Sequence, residues 1–339
     1  MSLGDVWFGL FVIIVAGYLI LDGFDMGVGI LHPWVAKTDE ERRIALNSIG
    51  PVWDGNEVWI VLGGGVLFAA FSPVYASLFS GFYLAFMLVL LVMILRTVSI
   101  EFRGKRPSHR WRQSWDWVFS IASLGLALLL GVAFGNIVAG VDLDQDGTID
   151  ESLLDLLNPY ALLIGVTTVS MVALHGALFL NLKTGAEVER RVQRATPLLM
   201  GVFFVLTTVA VISTAAWEDE VSERYIDDIW PVIVPAAALL ALIAVWYFLR
   251  RGLDLWAFVA SAAMIALLLI SGAIGMFPNL LISSINDDYN LTVDNSAAAS
   301  SSLTVMLVIA LIGIPLMLLY TASIYFFFRG KTELGPDSY

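Results

Sequence analysis

Nine stretches of this chain are apolar for long enough to cross a bilayer, and nothing else in the sequence restricts its fold so strongly. They run over about 5–31, 51–72, 75–99, 115–138, 158–182, 196–216, 229–249, 253–277 and 302–328. A helix crosses the hydrocarbon with about 20 apolar residues. Backbone groups there need internal partners, which leaves helices or a closed barrel, and stretches this long point to helices. Of 339 residues, 59% are hydrophobic and 14% charged, against about 25% charged in soluble domains. No water-soluble core could hide that much apolar surface. The expected fold class is an all-α integral membrane protein with nine transmembrane helices. Pro51, Pro73, Pro159, Pro197, Pro231 and Gly252 punctuate its junctions, the tightest at Ser72-Pro73. The first stretch lacks a basic start and an A-x-A-like exit, so it is expected to stay in the protein.

The basic residues orient the chain. Seventeen of its 18 Lys and Arg fall on one set of alternate loops and flanking helix ends, from Lys37, Arg42 and Arg43 to Arg329 and Lys331; Arg224 is the exception. The opposite loops, Asp142 to Glu151, Glu218 to Asp228 and Asp287 to Asp294, are acidic. The positive-inside rule then puts the N-terminus outside and the C-terminus in the cytoplasm, which requires an odd number of crossings. The net charge of −12 argues against nucleic acid as a partner and belongs to the outer loops, where solvation is its plain reading. One outer loop has a sharper reading. Asp142, Asp144, Asp146, Gly147 and Asp150 match the first nine positions of a calcium loop, but Leu153 stands where the twelfth position needs a bidentate Glu. Such a site would be weak or would borrow Glu151 or Asp155.

Chemistry is expected where charge enters the spans, because an ionisable side chain at a helix centre costs roughly 2.5–3.5 kcal/mol on insertion scales. Asp22 and Asp25 are three residues apart on the first stretch and share a face; Asp54 and Glu57 repeat that spacing on the second. Both pairs lie in the cytoplasmic half of adjacent helices, and Arg96 at the end of the third is the expected counter-charge. Carboxylates packed in a low dielectric cannot all ionise, so they can load and release protons near neutral pH. Gly23, Gly27, Gly29, Gly55 and Gly63 to Gly65 let backbones approach closely. The competing reading is that every acid is merely paired to hold the bundle. Asp116, near the basic loop, reads as a surface pairing residue. The chain has no Cys and three His, which excludes disulfides, Fe–S clusters and a His-rich metal centre. His175, mid-span among apolar residues, is read as a hydrogen-bonded core histidine ahead of a haem ligand.

Several segments resemble a known family. Leu21-Asp22-Gly-Phe-Asp25-Met-Gly-Val-Gly29, Glu41-Arg-Arg43 and Asn47-Ser-Ile-Gly-Pro-Val-Trp-Asp54-Gly-Asn-Glu57-Val-Trp59 closely resemble subunit II of the cytochrome bd-type quinol oxidases. So do Trp115-Asp116-Trp117, Gly131-Val-Ala-Phe-Gly-Asn136 and Gly275-Met-Phe-Pro278. The resemblance spans the chain and is strongest in its first half. It implies a single transmembrane domain over 1–339, with four-helix bundles over about 1–140 and 156–278 and a peripheral ninth helix over about 302–328. It implies a heterodimer in a bacterial or archaeal cytoplasmic membrane that oxidises quinol and reduces O₂ without pumping protons. Haem b and haem d would sit in the partner, subunit I. By the same resemblance this chain would ligate none, and a structural quinone is a possible occupant. A small single-helix accessory subunit is a further partner that the resemblance allows. Acids at the positions of Asp25 and Asp54 would deliver cytoplasmic protons, with Asp22 and Glu57 tuning them. A proton-coupled transporter is the rival class, since it too uses inward acids.

Overall fold

Ser2 opens the first helix of the computed structural model, which describes residues 2–217, 221–222, 224–225 and 230–335. Its hydroxyl accepts from the Asp5 amide at 3.1 Å while the Asp5 carboxylate accepts from the Ser2 amide at 2.6 Å, satisfying two donors that a helix start leaves bare. The helix α1 runs Leu3–Val35. There follow α2 (Asp39–Ile49), α3 (Trp53–Ala70), α4 (Ser72–Gly81), α5 (Tyr83–Arg103), α6 (His109–Ala139), α7 (Pro159–Lys183) and α8 (Ala186–Trp217). The rest are α9 (Ile233–Arg250), α10 (Asp254–Met276), a short antiparallel pair β1 (Asn279–Leu281) and β2 (Leu291–Thr292), α11 (Val293–Ser296) and α12 (Ser300–Phe327). The acidic loop Glu218 to Asp228 falls largely outside the described residues.

Among the described residues, eight helices are long and apolar enough to cross a membrane: α1, α5, α6, α7, α8, the α9 segment, α10 and α12. The second expected span, α3, has 18 residues and opens with Asp54, Asn56 and Glu57, which leaves too short an apolar remainder. The third expected span, 75–99, is corrected. It is two helices, α4 and α5, with Phe82 between them at φ −92° and ψ 21°. Gly81 ends α4 where Ile149 of the α6–α7 loop presses on the backbone; a Cβ there would lie 2.5 Å from Ile149 Cβ. Elsewhere helices outrun their apolar stretches. α6 and α8 begin at His109 and Ala186 rather than about 115 and 196, because charged side chains continue a helix well outside the hydrocarbon.

α1 holds the centre. It packs against α3, α6, α7 and α10, and more lightly against α2, α8, α11 and α12. Every residue from Asp22 to Pro33 is buried, as is every residue from Ser170 to Asn181 of α7. A helix buried on all sides must be apolar or internally paired all round. Where α1 and α7 cross, Gly27 meets Gly176. A Cβ on Gly27 would collide with Val172 O and lie 2.8 Å from Gly176 Cα, so both helices meet backbone to backbone. α12 is the opposite case. It is apolar but largely exposed, with Leu303 its one fully buried residue and one face, including Met306, Ala310 and Tyr325, partly buried.

Candidate functional site

The site grows from the buried half of α1. Asp22 and Asp25 are 0% and 1% exposed, and each is met by a different helix. From α5, Arg96 brings a guanidinium that is 1% exposed onto Asp22 in a two-pronged pair. Its Nη1 donates to Asp22 Oδ2 at 3.0 Å and its Nη2 donates to Oδ1. The same Nη2 reaches Glu57 Oε1 of α3 at 2.8 Å. Planar guanidinium forks suit this double contact in a way a lysine could not. Asp25 is held by Asn56, whose Nδ2 donates to Asp25 Oδ2 at 2.7 Å and to Leu21 O at 3.0 Å. Asp25 Oδ1 has no hydrogen-bond partner among the described residues. Four of the five singled-out groups, Asp22, Asp25, Glu57 and Arg96, therefore gather where α1, α3 and α5 meet.

Asp54 is placed differently. It sits exposed in the first turn of α3, one turn before Glu57, whose side chain is 18% exposed. The acids thus form a gradient from surface to core: Asp54 open, Glu57 half-buried, Asp22 and Asp25 enclosed. Asn56 lay inside the motif but drew no notice as a site residue, since an amide carries no charge. Tyr325 was missed as well. It lies on the last helix, and its hydroxyl donates to Asn56 Oδ1 at 3.1 Å.

A second polar cluster closes the basic-loop end. Asp116 accepts from Arg103 Nε at 2.6 Å and Arg42 Nη1 at 2.8 Å, and His32 Nε2 stands 3.8 Å away. Asp116 pairs with the basic residues but is 1% exposed, so the surface placement is corrected. α6 turns it inward against the end of α1 and not toward water. Asp39 accepts from Arg103 and Arg112, each at 2.8 Å. Partial burial pushes the Asp39 carboxyl up, but Arg103 and then Arg112 more than offset this and hold it below the ordinary carboxylate range. The pairing therefore helps the fold at neutral pH and is lost as pH falls through that depressed value.

His175 has both ring nitrogens engaged. Nδ1 lies 2.6 Å from Ser261 Oγ and Nε2 lies 3.0 Å from Ile20 O, while the ring stacks on Phe258 at 4.6 Å. The core reading holds, and no nitrogen is left to face an iron. His32 turns Nε2 to Arg42 O and Asp116 while its buried Nδ1 has no hydrogen-bond partner among the described residues, and His109 is exposed at the start of α6.

The calcium-like loop also closes on itself. Leu143 pairs with Ile149, and both are buried. Asp144 Oδ1 accepts from the amides of Asp146 and Thr148 at 2.9 and 2.8 Å. Gly147 takes φ +78°, and Ser77 donates to its carbonyl at 2.6 Å. Asp144, Asp146 and Asp150 are exposed, and among the described residues no three acids or histidines gather as metal ligands. Half-burial, the first influence, raises the Glu151 carboxyl above its ordinary range, with neighbouring Asp142 and Asp155 adding to it. Millimolar calcium is accordingly expected to leave the thermal unfolding midpoint unchanged; a rise of several degrees would show that the loop rearranges around the ion.

Fold and site together define a multi-pass helical membrane protein whose polar centre joins carboxylates, one guanidinium and the Asn56 amide. The chain belongs to the cytochrome bd terminal oxidase subunit II family, whose sequence model matches residues 3–328. It is 36% identical over 332 residues to cytochrome bd ubiquinol oxidase subunit 2 of Bacillus subtilis (strain 168), covering 98% of this chain and 97% of that one. It is 35% identical over 356 residues to cytochrome bd-I ubiquinol oxidase subunit 2 of Escherichia coli (strain K12), covering 96% and 94%. A chain of the bd oxidase from Geobacillus thermodenitrificans shares the fold, with a TM-score of 0.80 over 97% of this chain and 99% of that one. Identity there is 16%, so that likeness speaks for the fold alone. This chain is a multi-pass protein of the bacterial cytoplasmic membrane and a subunit of a respiratory oxidoreductase complex.

Proposed function

We propose that this chain is the non-haem subunit of a quinol:O₂ oxidoreductase, bracing a haem-bearing subunit I and carrying protons toward it from the cytoplasm. The observation behind the relay is the grouping of three carboxylates, Asp22, Asp25 and Glu57, around the single guanidinium of Arg96. One cation against three acids balances only when protons are held among them, and buried charge without balance is costly. Exposed Asp54 is the entry, Glu57 the next acid on the same helix face, and Asp25 Oδ1 the atom free to take and release a proton. Asp22, locked by Arg96, tunes its neighbours. Oxygen reduction consumes protons, so drawing them from the inner side makes turnover electrogenic without pumping.

In this reading α3 with α4 completes nine crossings, arranged as two four-helix units plus the peripheral α12, with the N-terminus outside. Seventeen of the 18 basic residues, on one set of loops and flanking helix ends, support that orientation. Haem b and haem d belong to subunit I, and no step of the relay runs through them. The broad exposed apolar faces of α3, α5 and α12 suit a partner subunit and lipid. A structural quinone and a single-helix accessory subunit remain part of the proposal.

Asp25→Asn and Asp54→Asn are each expected to slow quinol-driven oxygen consumption by at least about tenfold, the scale of losing one positioned proton carrier. The reduced-minus-oxidised haem spectrum should not change. Wild-type rates in both variants would remove the relay and leave a scaffold. Colourless preparations that take up a solute would instead favour the transporter reading.

A further inference from the structure

The peripheral helix α12 takes a hydrogen bond from Trp7 at Leu303 O near its start, and near its far end a second polar contact reaches the acid site. Tyr325 is 268 positions along the chain from Glu57, yet its hydroxyl reaches the amide beside it, Asn56 Oδ1, at 3.1 Å. Its ring also stands edge-on to Phe24 of α1, with centroids 6.3 Å apart. The Asn56 amide has two possible orientations, and its surroundings allow one. Its Nδ2 faces Leu21 O and Asp25 Oδ2, which are acceptors. Its Oδ1 faces a hydroxyl, which can donate. Turning the amide over would set oxygen against oxygen on the first side.

We infer that Tyr325 is a positioning residue for Asp25, acting through Asn56: by holding the amide in one orientation it commits Asp25 Oδ2 as an acceptor and leaves Oδ1 to exchange protons. This rests on the relay reading above and adds to it the group that sets which oxygen works. The other charged and titratable groups acting on Asp25 are Asp22 on its own helix, Glu57 on α3 and Arg96 on α5. Asp22 and Glu57 are tied to Arg96. From α7, His175 is turned to Ser261 and Ile20 O. Asn56 is thus the neutral group that engages Asp25, and Tyr325 holds the far side of its amide in place.

The consequence is directional. Without the tyrosine hydroxyl, Asn56 Oδ1 is buried and unpaired, and an unmet buried acceptor costs about 1–3 kcal/mol. The amide is then held on one side only, by Leu21 O and Asp25 Oδ2, and its donation to Asp25 weakens, which removes support from the charged carboxylate. Asp25 then stays loaded to higher pH.

The test is the pH profile of quinol-driven oxygen consumption by the whole purified complex. Tyr325→Phe is expected to move the alkaline fall in turnover upward by ~0.5–1 pH unit, the scale of one hydrogen bond exchanged at a carboxyl, with an unchanged haem spectrum. Asn56→Leu, which removes the same donor without touching α12, should move it the same way, and the double variant should move it no further than Asn56→Leu alone. Tyr325→His, whose ring N–H can donate, should return the profile toward wild type. A Tyr325→Phe profile that superimposes on wild type, or one lowered uniformly without a shift, overturns the inference. So does a shift confined to Asn56→Leu. If Asp25→Asn is slow while Tyr325→Phe is unshifted, the relay stands and the positioning role falls; if Asp25→Asn runs at the wild-type rate, the relay itself falls.

Discussion

Arg96→Leu is expected to stop the complex from accumulating in the membrane. Arg96 is enclosed, and it meets Asp22 on both oxygens and Glu57 on one. Removing one partner of a buried pair typically costs about 3–5 kcal/mol, because the other charge is left in a low dielectric without balance. Here two carboxylates would be stranded, and a folded domain has only about 5–15 kcal/mol in hand. Arg96→Lys should fall only part of the way, since an ammonium cannot fork onto Asp22 and still reach Glu57. The informative variant is the triple change Arg96→Leu, Asp22→Asn, Glu57→Gln. It removes the stranded charges along with the cation and is expected to recover much of the assembled complex while turning over slowly. The amount of haem-containing complex extracted per milligram of membrane measures both. Normal yield from the single variant would mean that water reaches Asp22 and that the cluster is not sealed.

Gly176→Ala is the second large effect. A Cβ at this position would collide with Gly27 Cα and C and lie 2.6 Å from Val28 N. Those atoms are backbone on a helix buried all round, so no side chain can swing aside. Overpacking of cores usually costs about 1–3 kcal/mol when neighbours can shift. Here α1 and α7 must separate along their whole contact, and loss of the complex at growth temperature is the expected result. Gly64→Ala, with nothing near its would-be Cβ, is expected to be neutral and serves as the control. Thermal inactivation midpoints of the extracted complex decide the matter. Equal midpoints for the two variants would show that the Gly27–Gly176 contact carries no weight.

The residues that were legible in the chain are those whose cost is local. An acid in an apolar helix stands out wherever it occurs, and i,i+3 spacing places Asp22 beside Asp25 without any tertiary knowledge. Arg96 was visible for the same reason. Asn56 and Tyr325 were not, because neither is expensive in a membrane by itself. Their meaning comes from a meeting of α1, α3 and α12 that no local pattern encodes. Asp54 shows the reverse limit. Its spacing from Glu57 matches that of the α1 pair, yet α3 begins at the surface, and the same pattern delivers an exposed acid. Asp116 stood next to basic residues in the chain, but only packing against the end of α1 buries it. The calcium-like loop had correctly spaced acids, while Leu143 and Ile149 had apolar surface to bury, and the buried pair set the loop's shape.

Apolar length settles the all-helical membrane class from the chain alone, because the bilayer acts on each segment separately. Tertiary structure alone decides which acids are enclosed, which guanidinium balances them and which amide points at which oxygen. Those outcomes depend on backbones meeting at Gly27 and Gly176 and on helices far apart in sequence sharing one small polar space, and a contact between distant segments leaves no mark in either segment taken singly.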